Sequence, residues 1–273
     1  MKLWRHIAAV LCLATAPPLL AQTNTSLRSL NTENDALAWQ AVGRLDIARM
    51  GYCTGTLIAP DLVLTAAHCV YRKTDGKPIA PDELTFQAGL THGQAAARRT
   101  VAQIEAHAGY TPGTQHGARN IRHDLALVRL AEPIPTHELN PFAVFSGTMP
   151  NGPVSVVSYG QGRSDALSRQ NVCQVLGKQE DLIALDCDVT FGSSGAPVFT
   201  HLNGRGQIAS IISGGGYYGN RKIALGMELP RLISDLKRQM RANAPQPKAE
   251  IRRLRVGGNK SSTGAKFVRA GGS

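Results

Sequence analysis

Three segments hold side chains able to take part in acid–base and nucleophilic reactions. Leu64-Thr65-Ala66-Ala67-His68-Cys69 presents an imidazole after two small residues, with Cys53-Thr54-Gly55-Thr56-Leu57-Ile58 upstream. His123-Asp124-Leu125-Ala126-Leu127-Val128-Arg129-Leu130 opens an apolar run with a carboxylate, and Phe191-Gly192-Ser193-Ser194-Gly195-Ala196-Pro197 sets hydroxyls in a glycine-rich loop. Imidazole, carboxylate and hydroxyl are the side chains of general-base and nucleophilic catalysis. Singly, each segment has an ordinary reading: a structural histidine, a strand cap or ion pair, a plain loop. Their order sets them apart, with Asp124 lying 56 positions after His68 and Ser194 lying 70 after Asp124. Small Ala66 and Ala67 let the chain turn tightly, as a base that must stay within hydrogen-bond reach of its nucleophile requires.

Together these segments resemble the T-A-A-H-C, D-I-A-L-L and G-D-S-G-G-P motifs of the chymotrypsin/trypsin-like serine endopeptidases, over about residues 41 to 240. The resemblance implies an acyl transfer with protein or peptide substrates, in which His68 is the base, Asp124 orients it and Ser194 is the nucleophile. It places the oxyanion hole at the backbone N–H groups of Gly192 and Ser194. It also gives Ser213-Gly214-Gly215 the role of pairing with the substrate backbone; the bland reading there is a Gly-rich turn. Asp188, six residues before Ser194, stands where trypsin-like enzymes place a buried carboxylate under the primary pocket. With Gly215 and Ala224 leaving room on the walls, that implies cleavage after Lys or Arg; the bland reading is an Asp188 that is exposed or paired structurally.

Two departures qualify this. Ser193 replaces the aspartate that, in the digestive enzymes, binds a newly cut amino terminus, so activation by a buried terminal ion pair is not expected; Ala41-Val42-Gly43 only weakly resembles their mature start. The bacterial glutamate-specific endopeptidases carry G-N-S-G-S-P there and supply the alternative specificity, although Ile212 stands where they tend to have a histidine. Secondly, Cys187 lies seven residues before Ser194 rather than four. A non-catalytic binding protein on the same fold is a further alternative, but its usual signature, a missing member of the triad, is not seen.

The elements that must position these residues read as short strands. In the first half these are Thr54–Ile58, Leu62–Thr65, Leu84–Leu90, Thr100–Ala106 and Leu125–Leu130. After a crossing at Asn140-Pro141 come Val154–Tyr159, Val172–Leu176, Leu182–Asp188, Ala196–Thr200, Ile208–Ser213 and Ile223–Leu229, with Asn203-Gly204 as a hairpin signal. Leu232, Ile233, Leu236 and Met240 recur at helical spacing after Pro230. The expected fold is all-β: two packed antiparallel six-stranded barrels of chymotrypsin type (about 40–140 and 141–230) closed by a C-terminal helix (about 230–243). Residues 22–39 are polar and read as an irregular lead-in or pro-segment.

Residues 1–21 read as a secretory signal: Lys2 and Arg5, an apolar run from Ile7 to Ala16 too short to span a bilayer, and Ala21 before the cut. This places the protein outside the cytoplasm, secreted or periplasmic. Cys12 leaves with the signal, and the even count of Cys53, Cys69, Cys173 and Cys187 predicts two disulfides, for which three pairings exist. With the family resemblance, Cys53–Cys69 and Cys173–Cys187 are the pairs expected. No cysteine spacing gives a zinc knuckle, the other histidines (His92, His107, His116, His123, His137, His201) lack ligand-like spacing, and no metal or cofactor is implied. The net charge of +11 does not signal nucleic-acid binding: residues 245–273 carry +6 and the first 21 carry +2, which leaves +3 on 22–244. The tail from 245 is read as disordered, and its basic residues could contact anionic surfaces.

Overall fold

The computed structural model describes residues 24–114, 117–201 and 204–244. The signal segment, the basic tail, His116 and Asn203 lie outside the described residues.

Alternating apolar residues and turns give antiparallel strands, as the sequence leads one to expect. Strands β1 (Arg28–Ser29), β2 (Val42–Ile47), β3 (Gly51–Ala59), β4 (Leu62–Thr65), β5 (Leu84–Ala88), β6 (Ala97–Ala106) and β7 (Ala126–Leu130) precede β8 (Pro153–Gly160), β9 (Arg163–Gln179), β10 (Leu182–Leu185), β11 (Pro197–Thr200), β12 (Gln207–Tyr218) and β13 (Arg221–Met227). Helices α1 (Glu33–Leu37), α2 (Ala118–Ile121) and α3 (Pro230–Ala242) interrupt and close the chain. The first barrel closes in the order β2-β3-β4-β7-β6-β5. The second runs β9-β10-β13-β12-β11-β8 and closes through β8–β9 pairing, with β1 added along β9. Two six-stranded antiparallel barrels and a C-terminal helix are thus present.

Closing a sheet removes its edges, and each barrel fills with inward side chains. Leu45, Leu57, Leu64, Leu84, Phe86 and Leu127 fill the first, while Val154, Val156, Ile183, Leu185, Val198 and Ile212 fill the second. Proline at the first position opens α3 without losing a needed N–H. Its Ile233, Leu236 and Met240 are buried, and Gln103 of β6 caps the Met240 carbonyl at 2.9 Å. No helix among the described residues is long and apolar enough to cross a membrane.

The lead-in is more ordered than its polar composition predicts. Leu30 and Ala36 are buried, and Trp39 packs on Phe142 and Phe199 with ring centroids 5.8 and 5.2 Å apart. Arg28 and Ser29 pair with Arg169 and Ser168 of β9. A few apolar anchors suffice once an unpaired strand edge is available.

Candidate active site

The first barrel supplies two of the three side chains. β4 ends at Thr65, and buried Ala66 and Ala67 lead into a 3₁₀ turn, Ala67–Val70, that carries His68. The Cys53–Cys69 disulfide ties this turn back to β3. Asp124 sits between α2 and β7, 1% exposed. Its carboxylate accepts from the His68 backbone N–H (2.8 Å), from His68 Nδ1 (2.7 Å) and from the Ser213 hydroxyl (2.5 Å). An ionised carboxylate can only accept, so Nδ1 carries a ring proton, and in the ring's neutral form the lone pair lies on Nε2. Burial opposes ionisation of Asp124, but the His68 charge and these hydrogen bonds outweigh it and hold the carboxyl below the usual carboxylate range. Burial and then the Asp124 charge push the nearby Tyr110 phenol up.

The second barrel supplies the third side chain, on the loop between β10 and β11. Thr54 of β3 reaches across to hold that loop. Its N–H donates to the Ser194 carbonyl (2.8 Å), and its hydroxyl donates to the Gly192 carbonyl (2.8 Å) while accepting from the Tyr159 N–H (3.1 Å). Gly195, at φ +78°, presses on the same region: a Cβ there would lie 2.2 Å from the Thr54 carbonyl and 2.3 Å from Thr65 Oγ1. Gly192, at φ +92°, would clash with Tyr52 at 2.3 Å. Both positions need glycine for backbone conformation and for space. The Phe191 carbonyl accepts from the Gln161 N–H at 2.7 Å, and across the planar trans peptide this aims the Gly192 N–H the opposite way. Among the described residues, neither the Gly192 nor the Ser194 N–H has an acceptor. His68 and Ser194 line one cleft of about 460 Å³, together with Tyr52, Tyr71, Phe191 and Gly192. A second cavity of about 500 Å³, around Trp39, Arg169 and Arg205, contains none of these residues.

The substrate-side expectations divide. Ser213, Gly214 and Gly215 lie on β12 past the stretch that pairs with β11; Gly214 and Gly215 pair with Leu225 and Ala224 of β13, Ser213 stands at the register shift before them, and among the described residues no strand pairs with their other edge. Gly215 faces Ala224 across that pairing, and Ala224 is buried. Ser213 does more than lie along the open edge, since its side chain bonds Asp124. Asp188 requires a correction. It is not a buried carboxylate: it is 54% exposed and pairs with Lys222 Nζ at 3.2 Å. β10 ends at Leu185, and the start of β13 brings Arg221 onto Asp186 (2.7 Å) and Lys222 onto Asp188. Cys173 and Cys187 are bridged as expected. Sγ of Cys53 and Cys69 and a nitrogen of His68 lie within 4.8 Å of one another, but disulfide sulfurs are not thiolate ligands. Thr54 went unassigned in the sequence reading, although it stands inside the quoted Cys53-Thr54-Gly55-Thr56 segment.

Residues 53–206 match the profile of a trypsin-like peptidase domain. Coagulation factor XII of Sus scrofa is 41% identical over 85 residues, 30% of this chain and 12% of that protein. The modular serine protease of Drosophila melanogaster is 37% identical over 99 residues. The chain spans only 12% and 15% of the length of these two relatives. Glutamyl endopeptidase of Bacillus licheniformis is 22% identical over 214 residues, 76% of this chain and 65% of that one. Among solved structures, a Glu endopeptidase in complex with MPD superposes with a TM-score of 0.65 at 18% identity, covering 79% of this chain and 97% of its own. The protease Anisep of Arthrobacter nicotinovorans gives 0.61 at 16%, covering 80% and 100%.

Proposed function

Because the chain belongs to the trypsin-like peptidase domain family, we propose that it is a secreted or periplasmic serine endopeptidase acting through Ser194, His68 and Asp124. The observation that carries this reading is the buried Asp124 carboxylate bonded to His68 Nδ1, on a ring that shares its cleft with Ser194. With the proton fixed on Nδ1, Nε2 takes the Ser194 proton as the hydroxyl attacks a peptide carbonyl. The imidazolium that forms is stabilised by Asp124, then protonates the leaving amine, and water releases the acyl group by the same route in reverse. The developing oxyanion is received by the Gly192 and Ser194 N–H groups. One such donor typically contributes about 3 to 4 kcal/mol to the transition state. An extended substrate adds to the open edge of β12 at Ser213–Gly215.

The primary preference we propose is Lys or Arg, through Asp188. That preference is weaker than an unpaired buried carboxylate would give, because the substrate's cation must displace Lys222. Lys222 also favours the second reading, cleavage after glutamate, since a substrate carboxylate would find a cation waiting. The domain proposed runs over 40–244, preceded by a signal (1–21) and followed by a basic tail (245–273); two disulfides among the described cysteines suit export.

The test is hydrolysis of fluorogenic peptides ending in Arg, Lys, Glu, Phe or Ala by wild type and Ser194→Ala. Arg and Lys substrates are expected to lead, and Ser194→Ala to lose turnover by roughly a millionfold. Undiminished turnover by Ser194→Ala would remove the nucleophile assignment, whereas a lead by Glu would replace only the specificity.

A further inference from the structure

The β8–β9 turn does more than join two strands. Gln161 in that turn and Arg163, the first residue of β9, both reach the loop that carries Ser194. The Gln161 N–H donates to the Phe191 carbonyl, and the Arg163 guanidinium donates to Ser193 Oγ at 3.2 Å. The same guanidinium donates to the Ser158 carbonyl (2.9 Å) and to Ser158 Oγ (3.2 Å). Ser158 and Ser193 are fully buried, and Ser193 Oγ also contacts the Tyr159 carbonyl (3.2 Å) and the Thr190 N–H (3.3 Å). Gly160 makes the space: a Cβ there would lie 2.6 Å from Arg163 Cζ.

Among the described residues, no carboxylate lies within 4.0 Å of Arg163. A partly buried cation held by neutral groups costs stability unless every donor is well placed. Burial lowers the proton affinity of this guanidinium, with the more distant Asp188 charge opposing. Ser193 lies between the two residues whose N–H groups lack acceptors, so whatever fixes Ser193 fixes the direction of both.

We propose that Arg163 is a positioning residue: by clamping Ser193 it holds the Gly192 and Ser194 N–H groups in the orientation that receives the oxyanion. The inference rests on the serine peptidase reading. The clamp is internal, because both partners lie between Tyr159 and Ala196 and neither is a chain terminus.

The experiment compares Arg163→Met, Arg163→Lys and Gly160→Ala with wild type, the last pressing on the guanidinium and on Thr190 Oγ1 without removing either. Arg163→Met and Gly160→Ala should lower kcat roughly ten- to hundredfold, the scale of a charged hydrogen bond, with KM within about twofold. Arg163→Lys should recover part of that loss. Hydrogen exchange followed by mass spectrometry should show faster exchange confined to residues 191–196. Wild-type kcat and unchanged exchange in Arg163→Met would overturn the inference, and so would exchange rising equally through the whole second barrel. Should Arg163→Met fail to fold, Gly160→Ala and Arg163→Lys decide by the same readings. If wild type itself hydrolyses nothing, the peptidase reading fails, while the exchange data still decide whether Arg163 orders the loop.

Discussion

Asp124 and Asp188 are two carboxylates of one molecule in opposite circumstances. Asp124 has a side chain 2% exposed and three donors, two from His68 and one from Ser213. Asp188 is 54% exposed and meets one flexible lysine. The first is a fixed charge, because its neighbours are short groups on strands and a disulfide-tied turn. The second is a replaceable partner, because Lys222 can swing into water at little cost. The charge bonded to the His68 ring is buried and over-bonded, while the charge proposed to choose a substrate is left open to exchange. The same contrast separates the elements beneath them: His68 and Asp124 stand at the ends of barrel strands, and Asp188 lies on a loop past the end of β10.

The strongest test of this contrast is Asp124→Asn. An amide at that position cannot accept as a carboxylate does, so the His68 proton is no longer held on Nδ1, and kcat should fall by about 10⁴ with KM little changed. The corresponding change at Asp188 should be far smaller. Acid titration sharpens the point. The folded-state pKa of Asp124 is depressed, so its stabilising contribution is fully present above the ordinary carboxylate range. It is lost as pH falls through the lowered value. Denaturant unfolding of wild type and Asp124→Asn should therefore show a stability gap that narrows as the solution is acidified below that range. A gap that stays constant with pH would mean Asp124 carries no native charge worth protecting.

Next in size is Thr54→Val, which keeps the shape and removes the hydroxyl. The Gly192 carbonyl and the Tyr159 N–H would each lose a buried partner. Each orphaned group costs about 1 to 3 kcal/mol, so unfolding should come at clearly lower denaturant. Since the Gly192 carbonyl fixes one end of the loop that carries Ser194, kcat should fall more than KM rises. An effect on stability alone would make Thr54 a core residue and no part of the site.

Much of this was legible in the sequence because strands and motifs leave local marks. Leu62–Thr65, a short continuous apolar run, is a strand buried along its whole length, and the helix after Pro230 shows its buried face at Ile233, Leu236 and Met240. The three motifs located His68, Asp124 and Ser194, and both disulfide pairings were expected. What was hidden depends on contacts between distant segments. Val42–Ile47 reads as Val-Gly-Arg-Leu-Asp-Ile, with polar residues that only a closed barrel turns outward. β9 runs from Arg163 to Gln179, far beyond Val172–Leu176, because β8 pairs along one edge and β1 and then β10 along the other, while polar residues face out. The polar lead-in gave no hint that Trp39 would be buried against Phe142 and Phe199. Spacing from Ser194 located Asp188 along the chain, but its partner, Lys222, lies 34 residues later. Arg163 carries no local signature, and only the fold brings it to Ser193.

The smallest expected effect lies at the exposed carboxylate and is the sharpest probe of specificity. Lys222→Met frees Asp188 without adding a group of opposite sign. A pair this exposed is worth at most about 1 kcal/mol, so kcat/KM for Arg and Lys substrates should rise by only about two- to fivefold, and any activity on Glu substrates should drop. Asp188→Asn should act in reverse, and both effects should shrink as salt is raised, since screening weakens exposed charges first. The readings differ in sign. If Lys222 is a competitor for the Asp188 carboxylate, its removal helps cationic substrates; if it is the anchor for a glutamate side chain, its removal abolishes the better substrate. Arg, Lys and Glu peptides that are all indifferent to both substitutions would mean that neither charge faces the bound side chain, and the pocket must then be sought elsewhere along the open edge of β12.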